Sequence, residues 1–278
     1  MLPGAKIGHA GTLDPDATGV LVICVGKATK ISSFLMEGRK EYSGTGCLGV
    51  TTDSQDATGE VLEERPVDVA EDAVRAAVTD FVGEVEQIPP MYSAVKVDGQ
   101  RLYRLARKGV EVEREPRRVN VYSFDVDGFE LPRFRFVLEC SKGTYVRTLL
   151  HDLGEQLGCG GHLAQLTRTR QGPFRLEEAV PWEDLLSPDG EKLVRDRWVG
   201  PDRALSFLPA RPLPVTAVPC KTGDMLPATE GDPERGSLVR LTAPNGEVRG
   251  VGRVTDGGVR VLNLLPASGE FGRGRRAS

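Results

Sequence analysis

Gly8-His9-Ala10-Gly11-Thr12-Leu13-Asp14-Pro15-Asp16-Ala17-Thr18-Gly19 is the stretch on which the reading of this chain turns. Three glycines and a proline in twelve residues forbid a regular helix or strand. The stretch also carries a histidine and two carboxylates, and the apolar run Val20 to Val25 follows at once. A polar, glycine-rich loop held beside a buried strand is a common design for an active site. A tight surface turn whose aspartates cap the backbone uses the same residue types, so the pattern alone leaves both readings open.

Working outward, Val20 to Val25 reads as one buried strand between Gly19 and Gly26, and Ile7 to Thr12 reads as turn-like. Lys27 to Met36 reads as a short helix, and Lys40 to Val50 as a strand. Asp68 is the expected N-cap of a helix whose apolar face is Ala73, Val74, Ala77, Val78 and Phe81, stopped by Gly83. Gln87 to Ser93 is extended around two prolines, and Leu102 to Lys108 is a short basic helix. Val119 to Val126 and Phe134 to Cys140 are strands. The second alternates Phe134, Phe136, Leu138 and Cys140 with Arg135 and Glu139. Thr144 to Leu157 is an amphipathic helix with Val146, Leu149, Leu150, Leu153 and Leu157 inward. This order, without βαβ alternation or an internal repeat, predicts an α+β fold with a mainly antiparallel mixed sheet. Prolines cluster between Pro209 and Pro219, which reads as an interdomain linker. Three strand-like runs follow, Ser237 to Leu241, Val248 to Val254 and Val259 to Leu264. They are separated by Asn245-Gly246 and Gly257-Gly258, which predicts a small β-barrel. Glu270 to Ser278 reads as a disordered basic tail.

The chain has 278 residues and a formal net charge of −4. No apolar run approaches the roughly 18–20 residues of a membrane span. The start lacks the apolar core of a signal peptide. Five scattered cysteines, an odd number, suit reduced thiols rather than a disulfide framework. Charge is unevenly spread. Asp53 to Glu86 holds eleven acids against two arginines, whereas Lys96 to Arg118 holds eight bases against four acids. Such a split gives one face that repels polyanions and another that attracts them, although ordinary solvated faces produce it too.

Familiar chemistries fit poorly. Asp14-Pro-Asp16-Ala-Thr18 satisfies the D-x-D-x-T pattern of phosphatases, but that chemistry needs the first Asp at the end of an apolar strand, and here the strand follows it. Gly26-Lys27 does not complete a phosphate loop. Cys159-Gly-Gly-His162 has no second pair to make a four-ligand zinc site. A single loop carboxylate is left, which a neighbouring cation would keep ionised. The residues themselves do not name its substrate.

The motifs do resemble a family. Gly8 to Gly19 is similar, nearly residue for residue, to the catalytic motif of the bacterial tRNA pseudouridine synthase B (TruB) family. Lys40-Glu-Tyr42, with Leu48 to Asp53 and Asp56-Ala-Thr-Gly59, resembles its second block. Gln87 to Gly99 with Tyr103 to Gly109, then Cys140-Ser-Lys-Gly-Thr-Tyr145-Val-Arg147-Thr148, then Leu166 to Gly172, resemble three more. Five blocks stand in order over about 170 residues. The resemblance implies a pseudouridine synthase catalytic domain over 1–208 and a PUA-like RNA-binding domain over 209–278. It implies isomerisation of the T-loop uridine (uridine-55) of tRNA to pseudouridine, with Asp14 as nucleophile. Tyr42 would stack on the uracil. Tyr145, Arg147 and Leu166 would complete the pocket, with Arg147 pairing with Asp14, and His9 would contact RNA near the extruded base. Asp16 falls at a variable place in the motif and is expected to serve the turn. The resemblance further implies a cytoplasmic monomer that binds the tRNA T-stem-loop through Arg101 to Arg118 and Lys142, without cofactor, metal or membrane. A strand and a Lys-Pro-x-Gly segment are expected ahead of the catalytic motif, where seven residues precede Gly8, so that N-terminal strand is expected to be missing. A non-catalytic tRNA-binding or tRNA-folding protein is the alternative.

Overall fold

The alternation between Phe134 and Cys140 organises the central sheet. The computed structural model describes residues 4–97, 99–214 and 220–266. In it the strand Arg133–Cys140 buries Phe134, Phe136, Leu138 and Cys140 almost completely and turns Arg135 and Val137 outward. It pairs antiparallel with Lys40–Leu48 on one side, placing Leu138 opposite Tyr42, and with Arg117–Glu130 on the other. Gly83–Gln87 lies outside Arg117–Glu130, and Gly161–Gln171 lies outside Lys40–Leu48. The short strand Thr18–Gly19 joins Gly161–Gln171 in parallel.

One face of this sheet is covered by the helix Val146–Gln156, which buries Val146, Leu149, Leu150 and Leu153 as its periodicity predicts. The helix Glu71–Ala77, continued by a 3-10 turn to Phe81, adds Val74, Ala77, Val78 and Phe81 to the same core. Phe124 and Phe136 meet edge to face at 6.0 Å. Gly46 is required where it stands, since a Cβ there would lie 2.5 Å from the Phe134 ring and 2.7 Å from Leu150.

The chain divides into two compact units. One comprises Leu13–Val20 and Arg39–Arg170, and the other comprises Met1–Thr12, Leu21–Gly38 and Gln171–Ser278. The second contains the antiparallel pair Ile7–His9 and Ile23–Val25. It also contains a five-stranded sheet in the order Ala210–Pro212, Leu238–Thr242, Val248–Thr255, Gly258–Leu264, Met225–Leu226. Its first pair is parallel and the others are antiparallel. Leu213, Leu226, Val239, Leu241, Val254, Val259 and Val261 form its core. Such a half-barrel sheet is compatible with a PUA-like unit.

Several local expectations change. Val20 to Val25 is not one buried strand: Leu21 and Ile23 are 43% and 52% exposed, and the strand covers Ile23–Val25. Six apolar residues do not reveal that alternate ones face outward from a two-stranded ladder. Ile7–His9, expected in a turn, is that ladder's other strand. The helix after Asp68 begins at Glu71, with Ala70 at its N-cap and no side-chain cap; Glu71 and Asp72 face the helix dipole instead. Ala73 is exposed. Lys27 to Met36 is a 3-10 segment, Gly26–Ile31, followed by one α-turn, Ser32–Leu35. Ala210–Pro212, expected in the linker, is a strand. Residues 215–219 of that linker and the expected basic tail Glu270–Ser278 lie outside the described residues.

Candidate active site

Asp14 opens a tight turn closed by a hydrogen bond from the Ala17 amide to the Asp14 carbonyl, 3.0 Å. Asp at the first position and Pro15 at the second suit such a turn, because proline presets its φ. Past the turn, Gly19 pairs with Arg168 at φ +102°, and a Cβ there would stand 2.2 Å from the Arg168 carbonyl oxygen. Only glycine lets the loop lie this close to the strand.

The carboxylate of Asp14 meets Arg147, the second residue of the helix Val146–Gln156. Arg147 Nε lies 2.9 Å from one Asp14 oxygen, and Nη2 donates to the other at 3.2 Å. Only 4% of Arg147 is exposed. A buried guanidinium requires partners on every side. Nη1 donates to the Ser54 carbonyl at 3.0 Å, Nη2 also donates to the Tyr92 carbonyl at 2.9 Å, and Asp56 Oδ2 stands 3.6 Å away. The planar fork therefore fixes the carboxylate in orientation as well as charge. The helix start is itself held by Gln87, whose side chain accepts from the Tyr145 amide at 3.0 Å and donates to the Tyr145 carbonyl at 3.2 Å.

Asp14 opens onto a cleft of about 180 Å³ whose other walls include Asp16, Asp56, Leu163 and Leu166. Gln55, beside it, has φ +64°, uncommon for a residue with a side chain, and its side chain accepts from Thr148 Oγ1 at 2.8 Å. Among the described residues no group of three or more His, Cys, Asp or Glu is placed to hold a metal ion.

The family profile for the TruB family pseudouridylate synthase N-terminal domain matches residues 1–146, and that for the tRNA pseudouridylate synthase B C-terminal domain matches residues 147–195. The chain belongs to the TruB family. It is 44% identical over 262 residues to tRNA pseudouridine synthase B of Pseudomonas fluorescens, covering 93% of this chain and 85% of that one. It is 58% identical over 176 residues to the tRNA pseudouridine synthase B of Opitutus terrae, covering 63% and 73%. Among solved structures it resembles a chain of a Cbf5-Nop10-Gar1 complex, with a TM-score of 0.70, 28% identity, and coverage of 94% of this chain and 76% of that one. A chain of an H/ACA RNP bound to a substrate RNA containing 2'-deoxyuridine is similar as well, with a TM-score of 0.66, 25% identity, and coverage of 95% and 77%.

In this TruB-family chain the electrostatics of Asp14 are not those of a simple ion pair. Burial against the loop and the cleft floor raises its pKa, Arg147 opposes that rise, and the nearby Asp56 adds to it. The net direction is upward, so the cation does not hold the carboxyl below its ordinary range as its presence alone predicts. The side chain keeps 45% of its surface open and lines the cleft. Tyr42 is pushed up to about 12, first by burial, so its phenol remains protonated.

The structure brings Asp14 and Leu166 together in the walls of the cleft, with Arg147 paired to Asp14. Tyr42 stands in the Lys40–Leu48 strand, 8% exposed and within the hydrophobic core, where Arg168 acts on its phenol electrostatically. Tyr145 is half-buried at the N-cap of the arginine's helix. His9 belongs to the other compact unit, exposed at the end of Ile7–His9. Asp16 occupies the third position of the turn and lines the cleft. Sequence reading assigned no role to Asp56, Gln87, Tyr92 or Arg168, although all four lie in the recognised blocks. Polar residues are common in those blocks, so nothing in the sequence singled these four out. What each holds is visible only once the loops are packed.

Proposed function

We propose that this chain isomerises uridine-55 in the T-loop of tRNA to pseudouridine, with Asp14 as the nucleophile. The observation that supports this most directly is the Asp14 carboxylate clamped by buried Arg147 at the edge of a cleft, in a chain of the TruB family. The reaction exchanges the C1′–N1 glycosidic bond for a C1′–C5 bond. The proton on C5 is lost and N1 gains one. Attack by Asp14 on the nucleoside frees the uracil to turn in the pocket before it is rejoined. No metal or cofactor is needed for that balance of bonds and protons. The target must leave its stack, at a cost of a few kcal/mol. Tyr42 and Leu166 supply the apolar surfaces that retain the detached ring. His9 and Tyr145 are assigned to RNA and pocket contacts. RNA recognition is assigned to shape and backbone contacts. Arg101, Arg104, Arg107 and Lys108, all within or beside the helix Leu102–Ala106, are the candidates, with Lys142. Residues 209–278 are assigned as the PUA-like domain, and the protein as a cytoplasmic monomer.

A T-arm stem-loop carrying tritium on C5 of the uridine tests the reading. Enzyme-dependent tritium release that disappears in Asp14→Asn is the expected result. Intact RNA binding with no release at high enzyme excess would leave a non-catalytic tRNA-binding protein.

A further inference from the structure

Arg168 is a buried arginine that the catalytic chemistry does not use. It is the largest of the fully buried side chains, at 1% exposure, on the Gly161–Gln171 strand. Its attachments converge on the far end of the catalytic loop. The Val20 amide donates to the Arg168 carbonyl at 2.8 Å, and Arg168 Nε donates back to the Val20 carbonyl at 2.7 Å. Thr18 and Thr167, paired across the same two segments, join hydroxyl to hydroxyl at 2.8 Å. Gly19 lies so close to the Arg168 backbone that no side chain fits between them. The guanidinium also lies near enough to the Tyr42 phenol to interact with it electrostatically. One residue thus touches the segment that carries Asp14 and the aromatic assigned to the substrate ring.

We propose that Arg168 is a positioning residue for the isomerisation. It locks the end of the Asp14 loop to the strand and bears on the Tyr42 phenol from the same planar group. Backbone pairing alone would anchor the loop at one strand register. The guanidinium adds a second point on Val20 and acts on the Tyr42 phenol as well, so one rigid planar group bears on both. Reaction sites are held within about 0.5 Å by such supporting contacts, and a displacement of about 1 Å costs on the order of 100-fold in rate. The catalytic part of this inference rests on Asp14 as the nucleophile, whereas the mechanical part does not.

Arg168→Lys, Arg168→Met and Gly19→Ala in the full chain test it with two readouts: tritium release from the T-arm substrate, and amide hydrogen exchange of the peptide spanning residues 13–20. Each variant is expected to lose about tenfold or more in kcat with KM within about threefold, and to exchange that peptide at least about tenfold faster. Lysine is expected to recover part of what methionine loses. A folded Arg168 variant with kcat within about threefold of the parent overturns the proposal, and so does a kcat loss with unchanged exchange. If neither Arg168 variant folds, Gly19→Ala decides, because its Cβ lifts the loop from Arg168 while leaving the guanidinium in place. Unchanged kcat in Gly19→Ala overturns the proposal. Absence of tritium release by the parent protein refutes the nucleophile reading instead. Exchange then still decides whether Arg168 holds the loop, and unchanged exchange overturns that as well.

Discussion

Replacing Arg147 by lysine separates its charge from its geometry. The guanidinium serves the Ser54 carbonyl, the Tyr92 carbonyl and both oxygens of Asp14 from three nitrogens. A lysine ammonium is a single nitrogen on a chain about as long, and it cannot reach all of these at once. At least one buried carbonyl loses its partner, which costs about 1–3 kcal/mol, and one charge-assisted hydrogen bond worth about 1.5–3 kcal/mol is lost with it. A destabilisation of about 2.5–6 kcal/mol follows, or a fall in Tm of roughly 5–24 °C at about 2–4 °C per kcal/mol. The Asp14 carboxylate loses its two-point clamp, so kcat should fall about 100-fold. The positive charge stays, so the acid limb of the pH–rate profile should hold its position. Arg147→Met removes the charge that opposes the upward shift of Asp14, so there the limb should move to higher pH. Thermal unfolding and tritium release over a pH series measure all three effects. An Arg147→Lys protein with parental Tm and kcat, or one whose acid limb moves as far as in Arg147→Met, would refute the reasoning.

Asp14→Asn should abolish turnover while tRNA affinity, by filter binding, stays within a few-fold. Its stability carries a sign of its own. The folded pKa of Asp14 lies above its unfolded value, so ionisation as pH rises through that range disfavours the fold, and the Asp14→Asn protein should be no less stable than the parent at neutral pH. Asp56→Asn removes the like charge that raises Asp14, so the acid limb of kcat/KM should shift to lower pH; a shift upward would contradict the assigned coupling. Tyr42→Leu should slow turnover far more than it weakens binding, and equal losses in the two would make Tyr42 a binding residue only. Gly46→Ala should destabilise by about 1–3 kcal/mol in thermal unfolding, because its Cβ meets the Phe134 ring and Leu150 inside the core.

Much of the fold was legible because its signals are local. Alternation along Phe134 to Cys140, the stripe on Val146–Gln156 and the hairpin signals at Asn245-Gly246 and Gly257-Gly258 depend only on each residue's near neighbours. The readings that changed depend on partners elsewhere. Ile7–His9 is a strand only because Ile23–Val25 lies beside it, and Ala210–Pro212 only because Leu238–Thr242 does.

The opening loop divides along the same line. Its glycines, proline and aspartates by themselves determined that a regular element is excluded and that a carboxylate is held in a turn. With the four later blocks they also pointed to the TruB family. The resemblance already implied Arg147, 133 residues away, as the partner of Asp14. Tertiary structure alone added Asp56 and Tyr92, which meet the same guanidinium from two further segments. Even the direction of the Asp14 shift required the fold. A neighbouring arginine argues for a lowered pKa, but burial outweighs it, and burial is a property of the packed protein rather than of any stretch of its sequence.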